Sequence, residues 1–421
     1  METVDTVVVG AGHAGLATSA HLAAGGRDHV VLDRGRVGER WRSERWDSLR
    51  LLTPNWMTRL PGHDYSGPDP DGYMTAGELA DLLEAYARAF DLPVAGGTAV
   101  SAVRPDGDGY LVVTDQGSWR ADNVVVATGH CDVPHVPGAA GGLDPAVAQL
   151  TPSTYRNPRA LPAGGVLVVG ASASGLQIAD ELCRAGREVV LAAGAHTRLP
   201  RRYRGMDVLW WLESVGALDR SVDDVDDLAR ALREPSLQLV GRSGGVDLDL
   251  GTVTAAGVRV TGRLTAIQDG VATFAPSLAG SVAESDRRLA ALLDRIDRHV
   301  TAAGLTAEVG EPDRPAGLTL PAGIDRLDLA GAGIGTVVWA TGFRRDHRWV
   351  QVPGVRAGGE LQHRYGITAR PGLFLVGQRF QTRRSSTFIG GSRHDAALVA
   401  AHLDAVRPVR RRTGMALRGR P

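Results

Sequence analysis

Two glycine-rich turns contain the residue types and spacings most typical of cofactor binding. The first lies in the stretch VVVGAGHAG, with glycines at Gly10, Gly12 and Gly15. A Gly-x-Gly-x-x-Gly turn between a strand and a helix lets the backbone approach a pyrophosphate, which then binds at the helix N-terminus. Asp33 ends the next strand, near the roughly 20-residue spacing at which an acid binds a ribose diol. These residues predict a dinucleotide site for an unphosphorylated adenosine ribose, and FAD fits that description.

The second turn, in VLVVGASASG, begins at Gly170 and ends at Gly175, with Ser172 and Ser174 between them. The position equivalent to the acid of the first turn is Ala193, and the arginine-rich stretch HTRLPRRYR follows. A guanidinium pairs with a 2′-phosphate, which a carboxylate would repel, so this site is predicted to bind NADPH. The sequence leaves open which arginine makes the contact, and the candidates are Arg198, Arg201, Arg202 and Arg204.

Two further segments end apolar runs with the same three small residues. They are Ala127-Thr128-Gly129, after NVVV, and Ala340-Thr341-Gly342, after GTVVW. Small residues at a strand end allow another backbone to approach closely. In flavoproteins that bind two dinucleotides, such segments mark the crossovers between domains, and both are predicted here to contact cofactor.

The elements that position these residues repeat along the chain. Thr6–Val9 is a β-branched run typical of a buried parallel strand, a helix follows it, and a second strand ends at Asp33. The same strand–turn–helix–strand pattern restarts at Gly165. We predict a doubly wound α/β protein with two nested Rossmann-like dinucleotide-binding domains. The predicted FAD domain covers residues 1–155 and 330–421, and the predicted NADPH domain, inserted into it, covers residues 160–325.

Composition excludes several function classes. The 421 residues contain 47 basic and 47 acidic side chains, which gives no charge excess for binding nucleic acid. Every basic residue other than histidine is arginine, which excludes a P-loop lysine and Schiff-base chemistry. Cys131 and Cys183 form no C-x-x-C motif, so we expect no disulfide framework and no cysteine zinc site. Neither a signal peptide nor a membrane-spanning run is evident, so we expect a cytoplasmic protein, and we predict that the basic tail, Arg407–Pro421, is a frayed end.

Taken in order, the motifs resemble those of class B flavoprotein monooxygenases. This group includes flavin-containing, Baeyer–Villiger, N-hydroxylating and auxin-forming monooxygenases, and the nearest branch is the bacterial one called CzcO-like. The resemblance covers nearly the whole chain. The stretches that carry it are VVVGAGHAG, GERW, LRLLTPNWMTRLPG, TPSTYRNP, VLVVGASASG, HTRLPRRYRG, VVWATGF and LFLVGQRFQTRRSSTFIGG.

The resemblance implies an NADPH-dependent flavin monooxygenase. In that family NADPH reduces FAD, and a (hydro)peroxyflavin inserts one oxygen atom from O₂ into a small organic substrate. Both N- or S-oxygenation and Baeyer–Villiger chemistry are compatible with the motifs, and the formation of a homo-oligomer is left open. Two alternatives are also compatible with the sequence. One is an NAD(P)H-dependent flavin reductase or oxidase without substrate oxygenation, and the other is a non-catalytic nucleotide sensor.

The resemblance also implies roles for individual residues. Trp41 and Gln378 are predicted to lie beside the flavin. Relatives carry Asn or His where this chain has Leu52, and Asn55, three residues on, is the predicted catalytic substitute. An arginine near the flavin is also expected, and the candidates are Arg40, Arg42, Arg45, Arg50, Arg379, Arg383 and Arg384. The remaining predicted cofactor contacts are His13, Ala14, Arg34, Arg40, Val100, Ala173, Gly377, Ser386 and Thr387.

Overall fold

The computed structural model describes residues 1–406, so the predicted frayed tail lies outside the described residues. Its first sheet has a parallel block of five strands, built on runs of valine and leucine that are buried on both faces. In spatial order these strands are Val94–Ala95, His29–Leu32, Glu2–Val9, Gly117–Val126 and Leu373–Leu375. The first half of Gly117–Val126 also pairs antiparallel with Gly109–Thr114, which pairs with Val100–Asp106.

A second sheet repeats this arrangement. Its five parallel strands, in spatial order, are Ala148–Leu150, Ile334–Trp339, Gly165–Val169, Val189–Ala192 and Arg259–Thr261. A three-stranded antiparallel meander, Leu264–Gln268, Val271–Phe274 and Arg326–Asp328, lies next to it in the chain. The predicted doubly wound α/β fold with two similar units is confirmed.

Membership of the second sheet extends beyond the boundaries drawn from the sequence. Ala148–Leu150 lies before residue 160 and Ile334–Trp339 lies after residue 325, yet both belong to the second sheet. The predicted boundaries left both segments in the first domain, because pairing between strands that lie far apart in the chain is not visible in a local pattern. The two crossings between the units lie side by side, where Val133–Pro134 pairs antiparallel with Phe343–Arg344.

The α-helices cover both sheets. His13–Ala24 packs against Ile389–Val406, which contributes Val399 and Leu403 to the same core as Leu16 and Leu22. None of the helices in the described part of the chain is long and apolar enough to cross a bilayer. The other α-helices are Glu39–Ser43, Ala76–Ala89, Ala173–Arg184, Val208–Ser214, Leu228–Leu232, Leu250–Ala255 and Leu278–Ala302.

Short elements complete the chain. The 3-10 helices are Asn55–Met57, Gly138–Gly142, Pro158–Ala160, Val222–Asp224, Leu305–Ala307 and Arg384–Thr387. Short strand pairs form between Arg59–Leu60 and His63–Asp64, Thr197–Arg198 and Leu237–Gln238, Arg202–Tyr203 and Met206–Asp207, and Arg356–Ala357 and Glu360–Leu361.

Candidate functional site

The first glycine turn is built so that only small residues fit. Gly10 has φ +113°, and a Cβ on it would lie 2.6 Å from the carbonyl oxygen of Ala127. A Cβ on Gly15 would overlap the carbonyl oxygen of Gly10. At Gly12, in contrast, a Cβ would meet nothing within 4 Å. The turn therefore needs Gly10 and Gly15 for its own packing, while Gly12 faces open space at a helix N-terminus.

The second turn has the same geometry. Gly170 has φ +108°, and a Cβ on it would overlap the carbonyl oxygen of Ala340, while a Cβ on Gly175 would overlap that of Gly170. Ser172 is the N-cap of the following helix, which starts at Ala173, but its side chain makes no capping hydrogen bond. The first N–H groups of this helix are therefore left for another acceptor.

Asp33 lies beside the first turn, at the end of the strand His29–Leu32. Its Oδ2 accepts a hydrogen bond from the backbone N–H of Ala11 at 2.7 Å, and its Oδ1 accepts one from Gly35 at 2.9 Å. A carboxylate has about four acceptor positions, so both oxygens keep capacity for ribose hydroxyls. The next residue, Arg34, points away, with 63% of its side chain exposed, and pairs with Glu44.

Arg40 connects the GERW segment to the loop that follows the first crossover strand. It donates to the carbonyl oxygens of Cys131 and Asp132, the latter at 2.8 Å, and to that of Thr128 at 3.4 Å. Trp41 is half-buried against the core of the first unit. The predicted contact Val100 is half-buried at the start of its strand. Arg40 is thus a positioning residue for the loop.

The C-terminal segment meets the first turn directly. Gly377 has φ +76°, and a Cβ on it would lie 2.9 Å from the Cβ of Ala14. The next side chain, Gln378, is buried, and its Oε1 accepts from Arg345 at 3.3 Å. Its Nε2 and the Nε2 of His13 are buried without a partner in the part of the chain that the structure describes. Such orphaned polar atoms beside a glycine turn fit a polar cofactor ring system.

The histidines near this turn are neutral. Burial lowers the pKa of His13 to about 4, although a hydrogen bond to the backbone of Thr387 opposes the shift. Burial, followed by the charge of Arg379, lowers the pKa of His130 to about 3. Ser386 is buried, and its Oγ accepts from the backbone N–H groups of Thr382 and Arg383, so it holds its own loop together.

Of the arginines predicted as flavin neighbours, Arg45 and Arg379 are half-buried near His130, whose pKa their charges help to lower. Burial lowers the pKa of both guanidinium groups. Arg379 also donates a hydrogen bond to the carbonyl oxygen of Glu234 at 2.6 Å. Arg345, which sequence analysis missed, reaches Gln378. The other candidates bind elsewhere: Arg42 pairs with Asp81 and Glu84, Arg50 donates to the Tyr73 carbonyl oxygen, Arg383 pairs with Asp219, and Arg384 pairs with Glu234.

Asn55 is occupied by contacts within its own loop. Its Oδ1 accepts from the backbone N–H of Met74 at 2.9 Å, and its Nδ2 donates to the carbonyl oxygen of Asp69 at 2.9 Å. The side chain is buried and ties the segment after Leu52 to the start of a helix. The predicted catalytic role would require these hydrogen bonds to break, so the structure gives Asn55 a structural role.

Two predicted phosphate contacts prove to be structural as well. Arg198 is 8% exposed and pairs with Asp249 and Asp286, at 2.7 and 2.8 Å. Arg201 is fully buried, pairs with Asp207, and donates to the carbonyl oxygen of Leu52 at 2.8 Å. Because each guanidinium is already paired with a carboxylate within the protein, these ion pairs disfavour a contact with the 2′-phosphate, which stays a prediction for both arginines.

The other two arginines of this stretch differ from each other. Arg204 pairs with Asp297 at 2.7 Å. Arg202 is exposed, and within residues 1–406 no carboxylate lies at ion-pairing distance from it, so its contact with phosphate stays a prediction.

At the second crossover, Thr341 donates to the carbonyl oxygen of His135, and Gly342 has φ +90°. At the first crossover Gly129 has φ +78°, and the Thr128 hydroxyl is buried without a partner in the described part of the chain.

Both cradles therefore fit dinucleotides. Each has an open helix N-terminus, a glycine turn pressed against a crossover strand, and a second strand that ends beside the turn. The first cradle adds the Asp33 carboxylate and unpartnered buried groups on His13 and Gln378.

Comparison with known proteins agrees with this geometry. Residues 7–212 match the family described as pyridine nucleotide-disulphide oxidoreductase. An uncharacterised CzcO-like oxidoreductase of Geobacillus kaustophilus is 32% identical over 93% of this chain and 96% of its own length. This protein belongs to the CzcO-like oxidoreductase family. The resemblance to class B flavoprotein monooxygenases that the motifs suggested is thereby confirmed.

One further relative and one solved structure are also similar to this CzcO-like oxidoreductase. The rice indole-3-pyruvate monooxygenase YUCCA4 is 31% identical over 66% of the chain and 72% of its own length. A flavin monooxygenase from Stenotrophomonas maltophilia, solved as a double mutant, matches 96% of this chain and 99% of its own, with a TM-score of 0.67 at 20% identity. The second match shows that the two proteins share a fold.

Proposed function

We propose that this CzcO-like oxidoreductase is an FAD- and NADPH-dependent monooxygenase that transfers one oxygen atom from O₂ to a small organic substrate. The observation that carries the proposal is the pair of dinucleotide cradles whose open turns lie at the carboxyl ends of two adjacent sheets. The relationship to monooxygenases supports it. We also propose that the unit built on the first sheet is the FAD domain and that the second is the NADPH domain.

In the first cradle, the backbone around Gly12 would bind the pyrophosphate of FAD, and Asp33 would accept hydrogen bonds from its ribose. The flavin ring of the cofactor, at the end opposite its adenosine, would be surrounded by Trp41, Gln378 and His13. When bound, FAD would accept hydride from NADPH and pass electrons to O₂, so that one oxygen atom goes to the substrate and the other to water.

The chain's own residues set the electrostatics of this region. His13 and His130 stay neutral at physiological pH because burial lowers the pKa of both imidazoles. Arg45 and Arg379 keep positive charge in a half-buried place and would stabilise negative charge that develops nearby. Gln378 can donate through its unpartnered Nε2. Exclusion of water by these side chains would protect the reaction from wasteful release of peroxide.

The second candidate is a flavin reductase or oxidase that makes no oxygenated product. The occupied carboxamide of Asn55 and the apolar side chain of Leu52 favour it, because neither offers a free hydrogen bond at the position where relatives carry Asn or His. Free cysteines at Cys131 and Cys183 support our further proposal that the enzyme works in the reducing cytoplasm.

Stoichiometry separates the two candidates. Purified protein with bound FAD is mixed with NADPH and a panel of amines, sulfides, ketones and 2-oxo acids, while NADPH loss, product and hydrogen peroxide are all quantified. We expect at least one substrate to appear as oxygenated product in amounts that match NADPH consumption. If all consumed NADPH is recovered as peroxide or reduced acceptor for every substrate, the monooxygenase proposal fails and the reductase is supported.

A further inference from the structure

With Arg198 and Arg201 neutralised, the second cradle needs another source of positive charge if it is to prefer NADPH. The strand Val189–Ala192 ends next to the glycine turn, since Gly170 N–H donates to the carbonyl oxygen of Ala192 at 2.9 Å. On its other side, Ala193 N–H donates to the carbonyl oxygen of Thr261, also at 2.9 Å. The residues that follow Ala192 and Thr261 therefore lie side by side at the edge where an adenosine ribose would sit.

Arg263 is the charged residue at this edge. A Cβ built on Gly194 would lie 3.8 Å from both Cγ and Cδ of Arg263, so the arginine stem runs alongside the bare backbone of Gly194. The side chain of Arg263 is exposed, and among residues 1–406 no carboxylate lies within ion-pairing distance of its guanidinium. The guanidinium of Arg263 is thus free to bind an anion, whereas that of Arg198 is paired with two carboxylates.

The two cradles differ at corresponding places. In the first, the residue after the strand His29–Leu32 is Asp33, a carboxylate fixed beside the turn. In the second, the residue after the strand is Ala193, and the neighbouring strand supplies an unpaired arginine instead. A planar guanidinium can bind a phosphate through two parallel hydrogen bonds, whereas the hydroxyl of an unphosphorylated ribose offers it only a weaker contact.

We propose that Arg263, packed along Gly194, binds the adenosine 2′-phosphate and sets the preference for NADPH over NADH. The inference rests on the proposed function and names the specificity residue of its nucleotide site. It assigns selectivity to a residue outside the arginine-rich stretch that follows the second strand.

The test compares Arg263→Ala with Arg259→Ala by calorimetric titration of the FAD-loaded protein with NADP⁺ and NAD⁺. Arg259 is exposed and begins the strand that ends just before Arg263, about 13 Å away along the chain, which makes it a matched control. We expect Arg263→Ala to weaken NADP⁺ binding by roughly 10- to 100-fold while NAD⁺ binding is unchanged. Arg259→Ala should change neither affinity.

A second pair of variants changes Gly194, the residue against which the Arg263 side chain packs. Gly194→Asp places a carboxylate beside Arg263 and should shift the NADP⁺:NAD⁺ affinity ratio toward NAD⁺, whereas Gly194→Ala should leave the ratio as it is. An unchanged ratio in both Arg263→Ala and Gly194→Asp overturns the inference, as does a loss of selectivity in Arg202→Ala alone. If the wild-type protein binds neither nucleotide, the proposed function itself fails, which distinguishes the two failures.

Discussion

The two glycine turns have nearly the same backbone but are completed by different side chains. Gly10 and Gly170 have φ +113° and +108°, and each is pressed against the carbonyl oxygen of an alanine that ends a crossover strand. At the end of the second strand, however, the first turn has Asp33, bonded to two backbone N–H groups. The second has Ala193, followed by Gly194, which packs along Arg263. The turn thus determines that a dinucleotide can approach, and the strand end determines which one.

The arginines of the second unit differ in whether they are paired with carboxylates. Arg198 and Arg201 lie close in sequence to the second strand, yet both are buried and paired with carboxylates. Arg263 lies far away in sequence, but the parallel pairing of strands brings it to the same edge, unpaired. Proximity in sequence therefore says less about which charge is available to a ligand than the pairing of strands does.

The largest expected effect tests this separation of roles. Arg198→Ala leaves Asp249 and Asp286 without their buried partner, so we expect the free energy of unfolding to fall by about 3–5 kcal/mol. The affinity ratio for NADP⁺ and NAD⁺ should stay unchanged. Urea denaturation checks the first expectation and calorimetric titration the second. The exposed Arg202→Ala is the control, with a change in stability within about 0.5 kcal/mol.

The next largest effect is expected from a side chain placed at Gly12, on the open face of the first turn. Gly12→Val places a side chain where nothing lies within 4 Å, so folding should be retained, but the pyrophosphate space is filled. We expect FAD affinity to fall by roughly 100-fold or more, equivalent to about 3 kcal/mol. Flavin absorbance of the purified protein measures this. Ser172→Val, the equivalent change in the second turn, should keep the flavin and weaken NADP⁺ instead, and a yellow Gly12→Val protein would contradict the assignment of the two cradles.

A smaller effect is expected at the acid of the first cradle. Asp33→Ala removes hydrogen bonds from a charged acceptor to the ribose, which should weaken FAD binding by about 1.5–3 kcal/mol. Fluorescence titration of the apoprotein with FAD measures the loss. Arg34→Ala changes the adjacent, exposed side chain and should leave FAD affinity unchanged. Equal losses in both variants would show that Asp33 makes no specific contact.

The smallest effect concerns the imidazole of His13 in the first turn. The second turn has no titratable group at this position, where Ala173 stands. Burial lowers the pKa of His13 from 6.5 to about 4, so the folded apoprotein keeps it neutral while the unfolded chain takes up a proton. Its contribution to stability is present above pH 6.5 and is lost as the pH falls toward 4. We expect the apoprotein to lose about 1–2 kcal/mol more than His13→Ala between pH 7 and pH 5.

Urea denaturation of both apoproteins at a series of pH values tests the histidine prediction. Parallel stability curves for wild type and His13→Ala would contradict it. His402→Ala, at a position in the C-terminal helix with an edge contact to Phe374, serves as a histidine control outside the turn.

Much of the site could be predicted from residues that act locally. The positions of both turns, the acid at Asp33 and the small residues at Ala127 and Ala340 all follow from strand, glycine and helix patterns within short windows. Contacts between distant segments could not be predicted in this way. Asp249 and Asp286 lie 51 and 88 residues after Arg198, and no local pattern announces that they neutralise it.

The buried environment of Gln378 shows the same limit. Its neighbour Arg345 comes from the segment after the second crossover and was missed, because nothing near either residue in the sequence indicates that they meet. The strand Ala148–Leu150 likewise fell within the predicted first domain, although it pairs with Ile334–Trp339 in the second sheet, because no local pattern indicates which strands pair.

The amino-acid sequence by itself determined the two strand–turn–helix units, because positive φ values, apolar periodicity and helix N-termini are properties of a few adjacent residues. Tertiary structure alone decided which charges remain free to meet a ligand. A guanidinium that is buried must be paired, and its partner comes from wherever the fold brings a carboxylate, so Arg198 became structural while Arg263 stayed exposed at the edge of the second sheet.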